Sequence, residues 1–119
     1  MKGENLGEFE EVVLLVVRSM GRTATGSRIQ EQLEQSAGRR ATLGAIYAAL
    51  DRMERKGLVE SWLGDPQPVP GGRRRREYAV TVLGEAALAE SRRVREALWR
   101  SGRGAGGAAA VGEPGAGGG

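Results

Sequence analysis

Apolar residues recur every three or four positions through the first half of the chain, the signature of amphipathic helices. Phe9, Val13, Val16 and Met20 form one stripe, widened by Val12 and Val17, and predict a helix from Gly7 to Met20. The β-branched run Val12 to Val17 also fits a buried strand. The acidic entry at Glu8, Glu10 and Glu11 and the cationic exit at Arg18 favour the helix, because each charge opposes the helix dipole. Ile29 and Leu33 mark a second helix over Ser27 to Ser36, capped by Thr25 or Gly26 and closed by Gly38. The third pattern is the clearest. Thr42 is a good N-cap, Leu43, Ile46, Tyr47, Leu50 and Met53 share one face, and Gly57 ends the run. Thr42, Ala45, Ala48, Ala49 and Arg52 fall toward the other side.

The period then changes. Leu58 to Leu63 and Glu77 to Thr81 read as two strands, joined by a Pro- and Gly-rich loop that carries Arg73 to Arg76 at a basic tip. A last helix is predicted from Val82 to Arg100, with Leu83, Ala87, Val94 and Leu98 in one stripe. Fourteen of the nineteen residues from 101 to 119 are Gly or Ala, which predicts a disordered tail. The fold class is therefore mainly α, a winged helix with a three-helix helix-turn-helix core, a two-stranded β-hairpin wing and a C-terminal helix. Residues 1–81 form the winged helix, 82–100 the last helix and 101–119 the tail.

Composition narrows the function. The chain has 119 residues, which fits one modest core, and neither Cys nor His, so disulfides and thiolate metal sites are excluded and the commonest general base is missing. No enzyme activity, metal or cofactor is expected. The longest apolar run has six residues, against about twenty for a membrane span. With an acidic rather than basic start, the chain reads as cytoplasmic, with no membrane partner. The net charge of +3 is unevenly spread: residues 1–35 carry four basic and six acidic side chains, 36–76 nine and four, and 77–119 five of each. Positive charge concentrated in the middle third suits a polyanion.

The segments GRRATLGAIYAALDRMERKGLVES and LGDPQPVPGGRRRREYAVT resemble the PadR family of bacterial regulators. The resemblance rests on Gly44, Ile46, Tyr47, Leu50, Arg52, Met53, Glu54 and the Lys56-Gly57-Leu58-Val59 turn, with Gly71, Gly72, Arg73 to Arg76, Tyr78, Val80 and Thr81 in the wing. It extends weakly through the first helix. Two positions depart from the family pattern: Thr25 stands where an aromatic is common, and Val82 where proline is. The resemblance implies a winged-helix homodimer, often a repressor, whose last helix crosses to the partner and which in some members responds to a small hydrophobic effector.

Double-stranded DNA is the expected partner. Gly44, Ala45, Ala48 and Ala49 keep the outer face of the third helix small enough for close approach to a groove, Thr42 and nearby amides can hold a phosphate, and Arg52 can reach a phosphate or base edge. Tyr47 is mainly a packing residue whose hydroxyl can reach a phosphate. Arg73, Arg74, Arg75 and Arg76 suit phosphate contacts, alternate residues facing DNA where the run enters a strand. Arg39 and Arg40 either touch phosphates or face solvent. The dimer interface is assigned to Phe9, Val13, Leu83, Ala87, Val94, Leu98 and Trp99; Trp99 is either an anchor or a stacking surface for an effector. The alternative is a winged helix that makes only protein contacts.

Overall fold

The computed structural model describes residues 6–66 and 68–110, the last eight of these by their backbone only. Helix α1 spans Glu8–Ser19, α2 Gly26–Ala37 and α3 Leu43–Arg55; strands β1 (Val59–Pro66) and β2 (Arg74–Val80) follow, then α4 (Val82–Ala110). The chain divides into two units, one ending at Leu88 and the other beginning at Ala89.

Each helix of the first unit starts and stops for a local reason. The Gly7 N–H donates to the Glu10 carboxylate at 3.2 Å, satisfying one of the orphan amides before α1. Thr25 caps α2, its hydroxyl accepting from the Arg28 N–H at 3.3 Å, so the threonine that departs from the family pattern serves as a cap. Gly38 closes α2 in the left-handed region at φ +62°, with Arg39 N–H returning to the Leu33 carbonyl at 3.0 Å. Thr42 caps α3 through the Ala45 N–H at 3.0 Å. At the hairpin's base the Thr81 hydroxyl accepts from the Gly84 N–H and donates to the Gly57 carbonyl. Val82 therefore enters α4 at the first helical position, where proline would only have pre-set φ.

The core joins Val13, Leu14, Val16 and Val17 of α1 to Ile29 and Leu33 of α2, and to Ile46, Ala49, Leu50 and Met53 of α3. Leu58, Val59 and Tyr78 close one side. Helix α1 is thus a helix and not a buried strand, and Leu14, outside the expected stripe, is among its fully buried residues. Ala49, expected on the outer face of α3, is fully buried instead. With three neighbours packed around it, α3 buries a wider arc than one stripe.

The strands are antiparallel, with Val59 opposite Val80 and Trp62 opposite Glu77, and the register shifts between Leu63 and Pro66. The Tyr78 N–H also reaches the Ala24 carbonyl at 2.9 Å, tying the α1–α2 turn to the sheet. Both strands extend further toward the tip than expected. Arg74 to Arg76 lie in β2, and the loop's turn closes earlier, with Gly72 N–H on the Val69 carbonyl at 2.8 Å. Helix α4 runs to Ala110, ten residues beyond the expected end. Residues 101–110, expected in a disordered tail, are therefore helical in backbone; 111–119 lie outside the described residues.

Candidate nucleic-acid interface

Thr42, Gly44, Ala45 and Ala48 are all exposed on α3, leaving a low, neutral strip along its N-terminal half. Tyr47 borders that strip, 41% exposed. Its ring lies against Gly26, the first residue of α2: a Cβ added there would sit 2.3 Å from the Tyr47 hydroxyl oxygen and 2.4 Å from Cζ. Only glycine permits this approach, and it brings the phenol to the N-terminus of α2. Thr25, Gly26, Ser27, Tyr47 and Arg73 to Arg76 then line one groove of about 500 Å³. The amides at the start of α2, three hydroxyl side chains and the arginines of the wing border it, a combination suited to phosphate.

The four wing arginines are not equivalent. Arg74 Nε donates to the Gly64 carbonyl at 2.9 Å and an Arg76 guanidinium nitrogen to the Ser61 hydroxyl at 3.0 Å. Arg73 and Arg75 have no hydrogen-bond or ion-pair partner among the described residues. Strand alternation puts Arg74 and Arg76 on the face that carries Tyr78, and Arg75 on the opposite one. Tyr78 is buried. Burial first, then the neighbouring Tyr47, Asp51 and Glu54, push its phenol up to about 12 against the pull of Arg76. On the far face of the hairpin, Arg22 stacks 4.2 Å over Trp62 and bonds Glu60 at 3.2 Å, bracing the wing against the α1–α2 turn.

A second groove, of about 580 Å³, lies between α2 and the start of α3. Ser27, Glu31, Glu34, Arg40 and Thr42 line it, and Gln30 crosses to the Ala41 carbonyl at 2.8 Å. Arg40 is exposed and has no partner among the described residues. Arg39 is held by Glu8 at 2.7 and 3.2 Å, which raises its pKa further, and stands 5.6 Å over the Phe9 ring.

Arg52 also departs from the expected site. Its Nε donates to Glu10 at 2.7 Å, and Lys56 Nζ reaches the same carboxylate at 3.4 Å. Both cations are thus paired with α1 through one carboxylate. Burial pushes the Glu10 carboxyl up, but hydrogen bonds from Arg52 and Gly7 and the Lys56 charge outweigh it, and its pKa is lowered. Sequence patterning missed Glu10, Thr25, Gly26 and Ser27. The last three carried one usable signal, a glycine at a helix start beside two hydroxyl residues.

The residues expected at a dimer interface separate into two groups. Val13 is 0% exposed and belongs to the core, so it is unavailable to a partner. Phe9 and Ala87 are partly buried against that core. Leu83, Val94, Leu98 and Trp99 are exposed on α4, Trp99 by 71%. Leu15 and Val82 are further exposed apolar residues outside the expected set. No group of residues able to hold a metal ion occurs among the described residues, and no helix there is long and apolar enough to cross a membrane.

Three helices, a hairpin wing and a long last helix define a winged helix-turn-helix protein. The sequence model of the transcriptional regulator PadR-like family matches residues 13–90. The chain belongs to that family, which consists of transcriptional regulators and not enzymes. It is 40% identical over 75 residues to the transcriptional regulator Rv3488 of Mycobacterium tuberculosis, a match covering 63% of this chain and 65% of that protein's length. Among solved structures, a PadR-like transcription factor from Bacteroides fragilis superposes with TM-score 0.68 at 22% identity, over 78% of this chain and 84% of that one. PadR from Bacillus subtilis, solved in complex with operator DNA, gives TM-score 0.60 at 18% identity, over 70% and 45%. These two likenesses concern the fold.

Proposed function

We propose that this regulator binds double-stranded operator DNA as a homodimer in the cytoplasm and acts as a repressor. The observation that carries the reading is the groove in which Tyr47, the α2 N-terminus and Arg73 to Arg76 meet beside the exposed strip of α3. The strip of Thr42, Gly44, Ala45 and Ala48 enters the major groove, where the small side chains let the helix backbone approach the base edges. The wing arginines and Arg40 hold flanking phosphates, and the Tyr47 hydroxyl donates to one of them. Two subunits joined through α4 reach half-sites about 34–36 Å apart, or a multiple of that, on a near-palindrome. The operator complex solved for B. subtilis PadR supports this reading. A small hydrophobic effector would release the DNA by stacking on Trp99.

The experiment is a titration of the full chain against the DNA immediately upstream of its own gene, and against an unrelated duplex of equal length, at several salt concentrations. Selective binding whose log affinity falls linearly with log salt is expected. Absence of binding to either duplex at low salt would overturn the reading and leave a winged helix that contacts only protein.

A further inference from the structure

We propose that Glu10 is a positioning residue that sets the rotation of α3 and thereby the selectivity of DNA binding; this rests on the DNA-binding reading above. Glu10 is the sole charged side chain in the core of the first unit among the described residues, 6% exposed. It comes from α1, and three donors fix it. Gly7 N–H and Lys56 Nζ share one carboxylate oxygen at 3.2 and 3.4 Å, and Arg52 Nε takes the other at 2.7 Å.

The location of these donors on α3 gives Glu10 its leverage. Arg52 follows Ala48 by four residues and Ala45 by seven, and Lys56 follows Arg52 by four. All four therefore lie along one face of the helix. The carboxylate grips the C-terminal half of the face whose N-terminal half is the exposed strip. The rest of what α1 and α3 contribute to the shared core is apolar, including Val13 and Val17 of α1 and Ile46, Leu50 and Met53 of α3. Such packing fixes the separation of two helices more firmly than their rotation, because dispersion forces have no direction. Hydrogen bonds to a fixed carboxylate do have direction. A rotation of about 20° would move side-chain atoms 5–6 Å from the helix axis by roughly 2 Å. That is several times the tolerance of a binding site, which is about 0.5 Å.

The roles of wing and helix then separate. Loss of the Glu10 grip leaves the wing arginines in place, so affinity for any duplex persists, while the match of α3 to its operator is lost. The test uses the full chain with Glu10→Gln, which keeps the shape and removes the charge, and Lys56→Met, which removes one donor from the carboxylate's edge. Each is titrated against the upstream fragment and the unrelated duplex, with a thermal melt by circular dichroism. The expected result for Glu10→Gln is a fall of at least about tenfold in the ratio of the two affinities, with the unrelated duplex bound within about twofold of wild type. Lys56→Met gives a smaller fall in the same ratio.

A lower melting temperature with an unchanged ratio would make Glu10 a merely structural residue and overturn the proposal. So would tighter binding of the unrelated duplex with a steeper salt slope, since Arg52 and Lys56 would then be phosphate ligands that Glu10 withholds. If Glu10→Gln does not fold, Lys56→Met decides by the same ratio. Wild type that binds neither duplex removes the DNA-binding reading itself, an outcome distinct from selective wild type with equally selective variants.

Discussion

Replacing Gly26 with alanine tests the groove at its tightest point. The added Cβ would meet the Tyr47 hydroxyl at 2.3 Å, Cζ at 2.4 Å and Cε1 at 2.8 Å. Contacts between such atoms are comfortable at about 3.5 Å, so the ring must move out by roughly 1 Å or more. It has room to do so, since Tyr47 is half exposed and faces the groove. Displacing the ring from its rotamer costs about 0.5–1.5 kcal/mol. Alanine in place of glycine returns up to about 1 kcal/mol in a helix interior, and less at this first helical position. The two nearly cancel, so the melting temperature should move by no more than about 8 °C.

Function does not cancel in the same way. The phenol would no longer reach a phosphate held by the α2 amides, a hydrogen bond to a charged group worth about 1.5–3 kcal/mol, or roughly 10- to 100-fold in affinity. Anisotropy titration of a labelled upstream fragment measures it. The salt slope should stay constant, because Tyr47 neutralises no phosphate. Tyr47→Ala should lose as much, and Gly26→Ala in that background should lose nothing further. Gly26→Ala binding within twofold of wild type, with Tyr47→Ala impaired, would show that the phenol's position does not matter and would refute the reasoning.

The other consequences are more direct. Arg73→Ala with Arg75→Ala should weaken binding to every duplex and reduce the salt slope by about 0.9 per lost phosphate contact, hence about 2 per subunit; an unchanged slope in a filter-binding series would exclude them from the interface. Ala48→Glu should leave the melt unchanged, the site being exposed, yet abolish binding through like-charge repulsion in the groove; tight binding by the folded variant would displace α3 from it. Leu98→Glu with Trp99→Glu, both exposed in the single chain, should convert a dimer to monomer in sedimentation equilibrium, and a persisting dimer would move the interface elsewhere. Tyr78 ionises only near 12 when folded, against 10.0 for a free phenol. Its stabilising contribution is therefore complete below pH 10 and is lost as pH rises through 12; the melting temperature should fall in that window, less so for Tyr78→Phe.

Periodicity located all four helices and both strands, because each buries one face and a buried face repeats with the element's own period. It failed where burial is not one-sided. Ala49 looks like its outward neighbours Ala45 and Ala48, yet small residues suit both a groove-facing strip and a close helix contact. Val13 lies on the stripe used to infer a partner, but the chain's own core consumes it. The wing's strands run further than the sequence predicts because arginine reads as loop, whereas β2 needs only backbone pairing and leaves its arginine side chains in solvent. In the stretch after Arg100 the glycines predict disorder, while the alanines favour the helix that continues to Ala110.

The uneven charge along the chain reads differently once folded. The acidic first third and basic middle third look like separate features in sequence, but α1 supplies counter-ions to α3 and the turn before it. Glu8 takes Arg39, and Glu10 takes Arg52 and Lys56. Three of the nine basic side chains in the middle third are thus neutralised within the chain. Arg40, Arg55, Arg73 and Arg75 remain without a partner among the described residues, and Arg74 and Arg76 are tied only to uncharged oxygens. The free positive charge is narrower than the sequence suggests, and most of it lies on the wing. This division lets the neutral strip of α3 discriminate by shape and hydrogen bonding while the wing supplies salt-sensitive affinity. It also explains why removing Arg73 and Arg75 should flatten the salt slope, whereas disturbing the Glu10 cluster should cost selectivity first.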